Sequence, residues 1–337
     1  MDKVAIVILN FNGKHYLEQF LQLVVLHSPG CQVIVADNGS TDDSVSFLQE
    51  SYPSVRLIML RKNYGFSTGY NLALRQVDAS YYVLLNSDVE VTPHWIDPVI
   101  QLMDEQQTIA ACQPKILSYH QKHTLEYAGA AGGYIDILGY PFCRGRIFNT
   151  VEEDHPKFDD LREVFWATGA CMFVRSDVYH QLGGLDDDFF AHMEEIDLCW
   201  RMHHAGYRVF YQGKSQVYHV GGGTLPKSNP RKTYLNFRNG LIMLFKNMTY
   251  RELTWKLPLR LLLDYLAAFQ YLLQGKGKNF CSILHAQISF FSIIGKLFAK
   301  RKRNEKNNEK FTFGIYPGFI VKDYFLKKKK YFDDLRF

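Results

Sequence analysis

Four short apolar runs alternate with amphipathic stretches in the first 86 residues, at positions 4–9, 32–37, 55–60 and 81–86. Each run is rich in β-branched residues and lacks regular polar alternation, which is typical of parallel strands covered on both faces. The stretches between them predict helices at about 14–26, 43–51 and 67–77. This βαβαβαβ order predicts an α/β fold with a doubly wound, mostly parallel central sheet.

The pattern becomes mixed after Pro93. A helix near 93–104 and a strand near 109–117 precede a Gly-rich aromatic stretch at 128–146, which predicts a hairpin or an irregular loop. The second half of 165–175 predicts a strand, and 193–205 predicts a helix. Two further short strands are predicted at 207–211 and 216–220.

From about residue 234 the pattern is helical, apolar and basic. The most hydrophobic windows, 257–273 and 280–299, contain Arg260 and Asp264, and His285 and Gln287, respectively, so neither predicts a convincing membrane span. Basic clusters at 300–303 and 327–330 favour helices that lie on an anionic membrane surface. A soluble packing module and a true span are the alternatives.

Charge is divided along the chain in the same way. Up to Gly240 there are 20 lysines and arginines against 27 aspartates and glutamates, and from Leu241 onward there are 19 against 7. We therefore predict a catalytic region at 1–240 and a basic, apolar, membrane-associated helical region at 241–337. Truncation after about Gly240 is then expected to spare the activity of the first region and to weaken membrane association.

Composition narrows the class of protein further. A hydrophobic content of 47% excludes a disordered polyelectrolyte, and the six scattered cysteines, without a Cys-x-x-Cys pair, indicate reduced cytosolic thiols. The chain begins almost directly in a predicted strand without a signal peptide, so we expect a cytoplasmic protein attached peripherally to the inner face of the cytoplasmic membrane. Nucleic acid is a competing partner for the basic stretch, but the long apolar helices between its clusters favour lipid.

Polar residues follow the second and fourth predicted strands. Asp37 is placed like the acid that contacts a nucleotide base or ribose in open α/β sheets, although a loop with a helix N-cap explains this segment equally well. Asn86-Ser87-Asp88 has no Gly-rich phosphate loop nearby, and Mg²⁺ prefers few protein oxygens plus phosphate oxygens. These features suggest a divalent metal that neutralises the diphosphate of a sugar nucleotide. The turn-like segment 10–13, without Gly-x-Gly-x-x-Gly, argues against a dinucleotide cofactor.

The predicted helix at 193–205 carries a group of acids. Asp197 and Arg201 are four residues apart and can pair, whereas Glu195 points about 100° away from Glu194. The preceding run Asp186-Asp187-Asp188 predicts a polar loop, because adjacent acids cannot all point at one ion. The pair His203-His204 predicts a solvated helix face.

Several ordered motifs together resemble the inverting family 2 glycosyltransferases of the GT-A fold. The matching segments cover about residues 3–240 and read VAIVILNFNG, VIVADNGSTDDS, LRKNYGFSTGYNLAL, YYVLLNSDVEV, FWATGACMFVRSDVYHQLGGLDDDFFAHMEEIDLCWR and VYHVGGGT. Within that family the chain is most similar to bacterial rhamnosyltransferases that elongate cell-surface polysaccharides on a lipid carrier.

The resemblance implies a set of site residues. It assigns the catalytic base to Glu195, with Glu194 second, and the ligands of Mg²⁺ or Mn²⁺ to Asp88 and His219. Trp166 and Gly169 would line the sugar and acceptor cleft. The donor nucleotide would be bound by Asn10, Asn12, Asp37, Asn38, Asn63, Gly65, Asn71, Asn86 and Ser87. Two positions depart from the family pattern, since Asn86 replaces the first acid of Asp-x-Asp and Glu195 replaces an aspartate.

The implied reaction transfers a sugar, with inversion, from a nucleoside diphosphate sugar to a hydroxyl of a lipid-linked or polysaccharide acceptor. The favoured donor is dTDP-rhamnose, and a UDP-sugar is the alternative. A nucleotidyltransferase would share the sheet and the metal but would carry a Gly-rich basic loop after the first strand. A catalytically inactive membrane-bound scaffold and an acidic binding module are the remaining alternatives. The oligomeric state is not predicted.

Overall fold

The computed structural model describes residues 2–221, 229–304, 311 and 313–337. The first part alternates strands and helices as the apolar pattern predicts. The elements are β1 (Asp2–Asn10), α1 (Lys14–Leu26), β2 (Gln32–Asp37), α2 (Ser44–Ser51), β3 (Arg56–Met59), α3 (Gly65–Leu74), β4 (Ala79–Asn86), β5 (Val89–Val91), α4 (Asp97–Glu105) and β6 (Ile109–Ser118).

The remaining elements build the far half of the sheet, a small second sheet and the C-terminal helices. They are β7 (Gly133–Asp136), β8 (Pro141–Cys143), β9 (Arg146–Ile147), β10 (Thr150–Val151), β11 (Leu161–Val164), β12 (Cys171–Arg175), α5 (Ser176–Gln181), α6 (Glu194–His204), β13 (Arg208–His219), α7 (Pro230–Asn247), α8 (Tyr250–Leu273), α9 (Gly277–Ser292), α10 (Ile294–Asn304), β14 (Ile315–Tyr316) and α11 (Ile320–Phe325).

The central sheet has the order β11-β13-β6-β12-β4-β1-β2-β3, and β5 pairs with β13. Strands β1 to β4 are parallel, as predicted. Strand β12, however, runs antiparallel to both β4 and β6, and β11 and β5 run antiparallel to β13. The α/β prediction is therefore confirmed, but the sheet is mixed, because hydrophobic periodicity reports strand position and not strand direction.

Strand β13 joins two segments that the sequence predicts as separate strands. It pairs in parallel with β6 from Arg208 to His219, with a register shift between Gln212 and Gln216. This irregularity lies where the sequence predicts a break between two strands. The strand continues past it along β6. His219 consequently lies at the end of this strand, opposite Val89 of β5.

The C-terminal helices pack against the same core as the sheet. Residues 241–245 of α7 share one buried cluster with Phe290 of α9 and with Tyr316 and Phe332 of the tail. Strand β14 extends the small sheet by pairing with β7, and the Asp136 carboxylate accepts a hydrogen bond from the backbone N–H of Ile320 at 3.0 Å. The boundary between two regions at residue 240 stays a prediction, but one hydrophobic core includes residues on both sides of it.

The prediction that His203 and His204 form a solvated face was wrong. Both are buried, at 4% and 7% exposure, and Nε2 of His203 lies 2.8 Å from the carbonyl oxygen of Phe165. The ring of Phe311 stacks on His203 with the centroids 4.7 Å apart. A residue more than one hundred positions further along the chain therefore covers this face, and local periodicity cannot report such a contact.

Among the residues that the structure describes, no single helix has both the length and the apolar character needed to cross a bilayer. Helix α9 and the segment Ile294–Arg301 meet that requirement only when taken together, and a bend of 61° separates them. Arg260 and Asp264 of α8 form a buried ion pair at 3.1 Å.

Candidate active site

The carboxyl ends of β1, β2 and β4 meet at one edge of the sheet. Asn10 is aligned with Asp37, and Leu9 is aligned with Asn86. The side-chain Nδ2 of Asn10 donates to Oδ1 of Asp37 at 3.1 Å, which ties the first two strand ends together. Ligands of open α/β sheets bind at this edge.

Asn10 at the end of β1 and Asn12 just after it shape the loop there. Asn12 adopts the left-handed conformation with φ 51°, and its Oδ1 accepts the backbone N–H of Thr41 at 2.7 Å. Asn10 is fully buried, and its Oδ1 has no hydrogen-bond partner among the described residues. An orphaned buried acceptor at this edge is expected of a site that is completed by a ligand.

Asn38, Asn63 and Gly65 form a second hydrogen-bonded turn beside the first. Nδ2 of Asn38 donates to Oδ1 of Asn63 at 3.2 Å and to the carbonyl oxygen of Gly65 at 3.0 Å. The structure therefore brings together these three predicted donor-site residues at the start of α3.

Asn71, predicted to bind the donor nucleotide, holds a neighbouring segment of the chain in place. Its Nδ2 donates to the carbonyl oxygen of Leu185 at 2.7 Å and to Oδ1 of Asp187 at 2.8 Å, and its Oδ1 accepts from the hydroxyl of Tyr179 at 2.7 Å. The amide thus holds the segment at 184–187, and its place in the nucleotide site stays a prediction.

Asp88 and His219 lie together where β4 and β13 end. Nε2 of His219 is 3.2 Å from Oδ1 of Asp88 and 3.4 Å from the side-chain amide of Asn86. The side chains of Asp88 and His219 are 11% and 6% exposed. The N–H of Gly221 also bonds the Asp88 carboxylate, whereas the glycines at 222 and 223 lie outside the described residues.

The spacing of this pair fits a divalent ion. Two neighbouring ligands of an octahedral ion, each at about 2.1 Å, lie about 3.0 Å apart. The described residues contain no cluster of three or more metal-binding side chains of the His, Cys, Asp or Glu type. Mg²⁺ is commonly held by one or two carboxylates plus substrate phosphates, so a site with two strong protein ligands is sufficient.

Without an ion the two side chains pair directly, and His219 must release its proton before Nε2 can bind a metal. Burial disfavours a charged imidazole, but the carboxylates of Asp88 and Glu126 outweigh it and raise the pKa of His219 to about 10. Burial likewise disfavours the Asp88 carboxylate, yet the imidazolium lowers its pKa below the ordinary value.

Glu126 is a site residue that the sequence did not reveal. Its Oε2 lies 3.2 Å from Nδ1 of His219, on the side of the ring opposite Asp88, and its carboxylate also accepts the N–H of Ala128. Metal-binding histidines almost always donate from their second ring nitrogen to a carboxylate, a backbone carbonyl or a water, and Glu126 is placed to be such a partner. The segment around Glu126 carries no motif, so only the fold identifies it.

Glu194 and Glu195 begin α6, and both carboxylates are withdrawn from solvent. In each, Oε2 is buried and has no hydrogen-bond partner within the described part of the chain. Burial raises the pKa of Glu195, and burial followed by the charge of Glu195 raises the pKa of Glu194 well above its ordinary value. A carboxylate with a raised pKa is a stronger base than a solvated one.

A short backbone connection links Glu195 to the end of β4. The N–H of Gly169 donates to the Glu195 carboxylate, and the next residue, Ala170, accepts the N–H of Asn86 at 3.0 Å. The Glu195 carboxylate therefore lies beside the start of β12, which pairs with the end of β4. Asp197, by contrast, is paired with Arg201 at 2.9 Å, as predicted.

Gly169 and Trp166 are both predicted to line the cleft, but they lie in different surroundings. Gly169 lies beside Phe66, whose ring is 3.1 Å from where a Cβ on this glycine would stand. Trp166 is only 4% exposed, packs on Gly133, and donates from Nε1 to the carbonyl oxygen of Tyr134 at 3.0 Å. The indole of Trp166, which was predicted to line the cleft, is therefore part of the core.

Sequence comparisons identify related proteins. The family model described as Glycosyl transferase family 2 matches residues 5–183. The N-acetylglucosaminyl-diphospho-decaprenol L-rhamnosyltransferase of Mycobacterium tuberculosis is 28% identical over 234 residues, 65% of this chain and 76% of that protein. Rhamnosyltransferase WbbL of Escherichia coli K12 is 23% identical over 220 residues, 62% of this chain and 80% of that protein.

Solved structures share the fold at low sequence identity. S. aureus TarS 1-349 in complex with UDP-GlcNAc superposes with a TM-score of 0.55 at 12% identity, covering 90% of this chain and 89% of that one. GalNAc-T7 with UDP, GalNAc and Mn2+ gives a TM-score of 0.56 at 13% identity and covers 72% of this chain. The match spans 48% of the GalNAc-T7 chain, about half its length.

Proposed function

Since the chain belongs to glycosyl transferase family 2, whose model matches more than half of it, we propose that it transfers a sugar, with inversion, from a nucleoside diphosphate to the hydroxyl of a lipid-linked or polysaccharide acceptor. L-Rhamnose carried on dTDP is the favoured donor, because two relatives are rhamnosyltransferases. A UDP-sugar is the alternative, since structural neighbours are complexes with UDP or UDP-GlcNAc.

The proposal depends most on one observation, the backbone connection between Glu195 and Asn86. The Glu195 carboxylate accepts from Gly169, and Ala170 accepts from Asn86, so the proposed base stands next to the start of β12, beside the proposed diphosphate-binding edge at the end of β4. Sugar transfer with inversion needs both at once, a base for the attacking hydroxyl and stabilisation of the leaving group.

Glu195 would act on the acceptor. Its Oε2, which has no hydrogen-bond partner among the described residues, would accept the proton of the attacking hydroxyl, and its raised pKa makes that transfer more favourable. Attack at the face of the anomeric carbon opposite the diphosphate gives inversion in one displacement, without a covalent sugar–enzyme intermediate.

Asp88 and His219 would hold Mg²⁺ or Mn²⁺, with Asn86 beside them. When bound, the ion would supply charge to the diphosphate leaving group. On the protein side, Asn10 and Asn38 hold the loops at the nucleotide edge, with Asp37 buried between them. These contacts would orient the nucleotide before transfer.

Membrane attachment is proposed through one face of the C-terminal helices. On α8, large apolar side chains at positions 262, 265, 266, 269, 272 and 273 are 46–73% exposed, with the three-to-four-residue spacing of one helix face. Lys276 and Lys278 lie exposed at the end of this face, and they suit an anionic lipid surface on the cytoplasmic side.

Lys300 and Arg301 belong to the basic cluster predicted to contact lipid, but both contact other parts of the protein instead. Lys300 pairs with Asp188 at 2.7 Å, and Arg301 is 1% exposed and donates to the carbonyl oxygen of Phe245. The side chains at 302 and 303 lie outside the described residues. The lipid-facing assignment therefore moves from Lys300 and Arg301 to the exposed face of α8.

A donor screen tests the proposed reaction. The full chain would be incubated with Mn²⁺, a panel of dTDP- and UDP-sugars and a polyprenyl diphosphate-linked saccharide, and nucleoside diphosphate release would be measured. Acceptor-dependent release of nucleoside diphosphate supports transfer, and the donor that gives it identifies the sugar. Pyrophosphate release from a nucleoside triphosphate and a sugar phosphate would instead identify a nucleotidyltransferase, and no turnover with any donor would contradict the proposal.

A further inference from the structure

The loop that precedes α6 has an unusual backbone. Within it, three residues other than glycine have positive φ, namely Phe190 at 63°, His192 at 71° and Met193 at 74°. Side chains disfavour this region, and such residues persist only where the surrounding structure over-determines them. The contacts that hold this loop therefore decide where α6, and with it Glu195, begins.

Asn239 of α7 makes the most concentrated set of these contacts. Its Nδ2 lies 2.9 Å from the carbonyl oxygen of Phe189, 2.9 Å from that of Ala191 and 2.8 Å from that of His192. The residue is fully buried. The two N–H donors of one amide group therefore lie within hydrogen-bond distance of three carbonyl oxygens in a strained loop, and no apolar replacement can do the same.

Ion pairs fix the start of the same loop. Nζ of Lys246, also on α7, lies 2.5 Å from Oδ2 of Asp186 and 2.9 Å from Oδ1 of Asp197 on α6. Lys300 of α10 pairs with Asp188 at 2.7 Å. The acidic run predicted as a plain polar loop is thus an anchor for the C-terminal helices.

The opposite side of the loop faces the predicted donor site. The carbonyl oxygen of Phe190 accepts the N–H of Phe66 at 2.6 Å, and a Cβ on Gly65 would stand 2.6 Å from the Phe190 ring. Gly65 opens α3 and belongs to the turn held by Asn38. The loop therefore contacts the donor-side turn and leads directly into the helix that carries the base.

We infer that Asn239 is a positioning residue for sugar transfer, which sets the location of the Glu195 carboxylate relative to the donor through the loop at 189–193. This inference rests on the proposed function, in which Glu195 is the base. It also makes the C-terminal helices part of the catalytic unit. Truncation after Gly240, expected from sequence to spare donor hydrolysis, should instead abolish it, because Lys246 and Lys300 are lost.

The test replaces Asn239 with Asp, which preserves size but removes both N–H donors. The matched control is Asn236→Asp, the same change on the same helix at a partly exposed position. Asn239→Asp should lower kcat about 10–100-fold with little change in donor KM, because misplacement of about 1 Å can cost this much. The acid limb of the kcat–pH profile should also move, since the surroundings of Glu195 change.

A double-mutant cycle separates positioning from general damage. If Asn239 acts through Glu195, Asn239→Asp should cause no further loss of turnover in a Glu195→Gln background. Additive losses, or wild-type kcat in the single variant, would overturn the inference. Full turnover of Glu195→Gln alone would instead contradict the proposed base, a distinct failure.

Asn239→Ser serves if the aspartate variant does not fold, because it avoids a charge facing three carbonyls. Circular dichroism and thermal unfolding would establish the folded state of each variant. If neither variant folds, Asn239 is a folding residue and the positioning inference is wrong.

Discussion

Nε2 of His219 lies 3.2 Å from Oδ1 of Asp88, although the two residues are 131 positions apart in the chain. The distance matches that expected for neighbouring ligands of one ion, about 3.0 Å. Strand β13 makes this possible, because it continues along β6 past a register shift and ends beside β5. Asn86 stands where the family pattern has an acid. One carboxylate and one imidazole nevertheless meet at this edge of the sheet.

Replacing either member of this pair should weaken metal binding. We expect Asp88→Ala and His219→Ala each to lower the Mn²⁺ affinity of the full chain, measured by electron paramagnetic resonance with nucleoside diphosphate present, by at least about tenfold. His94→Ala is the control, since this exposed histidine pairs with Asp97 away from the strand ends. Equal affinities in all three variants would remove the metal assignment.

Glu126 should act on the metal through His219. Glu126→Gln preserves the size of the side chain but weakens its hold on Nδ1 of His219, and we expect Mn²⁺ affinity to fall about 10–100-fold. Glu153→Gln, an exposed glutamate on the neighbouring loop, should have no effect. An unchanged Mn²⁺ affinity in Glu126→Gln would mean that Asp88 alone orients the imidazole.

Glu195→Gln should lower turnover by about 10²–10⁴-fold and leave nucleotide binding intact, because the amide cannot accept the acceptor's proton. In the wild-type protein, kcat should fall as the pH drops below a pKa that lies above that of an ordinary glutamate, since burial raises the pKa of Glu195. Initial rates across pH and calorimetric titration with nucleoside diphosphate measure the two effects. If Glu194→Gln is the inactive variant instead, the base is Glu194.

Removing the Glu194 charge should stabilise the protein. Burial and the charge of Glu195 raise the pKa of Glu194, so the folded state holds its proton more tightly than the unfolded chain does. This group therefore contributes stability at low pH that is lost as the pH rises above the unfolded pKa, near 4.3, and through the raised folded pKa. Glu194→Gln should raise the melting temperature at pH 7.5 and raise it less at pH 5, whereas Glu153→Gln should do neither.

Local sequence information accounts for the strands and helices well and for the site only in part. Helix α1 and strand β2 begin and end at the predicted residues, because their periodicity is set by adjacent positions. Asp88 and His219 were paired by family resemblance, and no periodicity relates them. Glu126 and Asn239 act across 93 and about 50 residues, respectively, so their partners become visible only in the folded chain.

The same limit holds for other predicted site residues. Trp166 and Asn71 lie in segments that match the family, but packing on Gly133 and hydrogen bonds to Leu185 engage their side chains elsewhere. Burial of this kind depends on which surfaces the tertiary fold brings together. A motif identifies the edge of the sheet where the chemistry lies, and only tertiary contacts decide which side chains there remain available to a ligand.

The exposed face of α8 should govern membrane attachment without affecting the chemistry. We expect Leu266→Ser combined with Phe269→Ser to reduce cosedimentation with vesicles that contain anionic lipid, because two exposed apolar side chains no longer enter the interface, each worth about 1.5–3 kcal/mol when fully buried. Leu26→Ser combined with Leu161→Ser, two exposed apolar residues on α1 and β11, is the matched control. Turnover with a water-soluble acceptor should be unchanged in both, because neither pair lies on α6 or at the sheet edge that carries Asn10, Asp37 and Asn86. If the two double variants bind vesicles equally well, the attachment surface lies elsewhere on the chain.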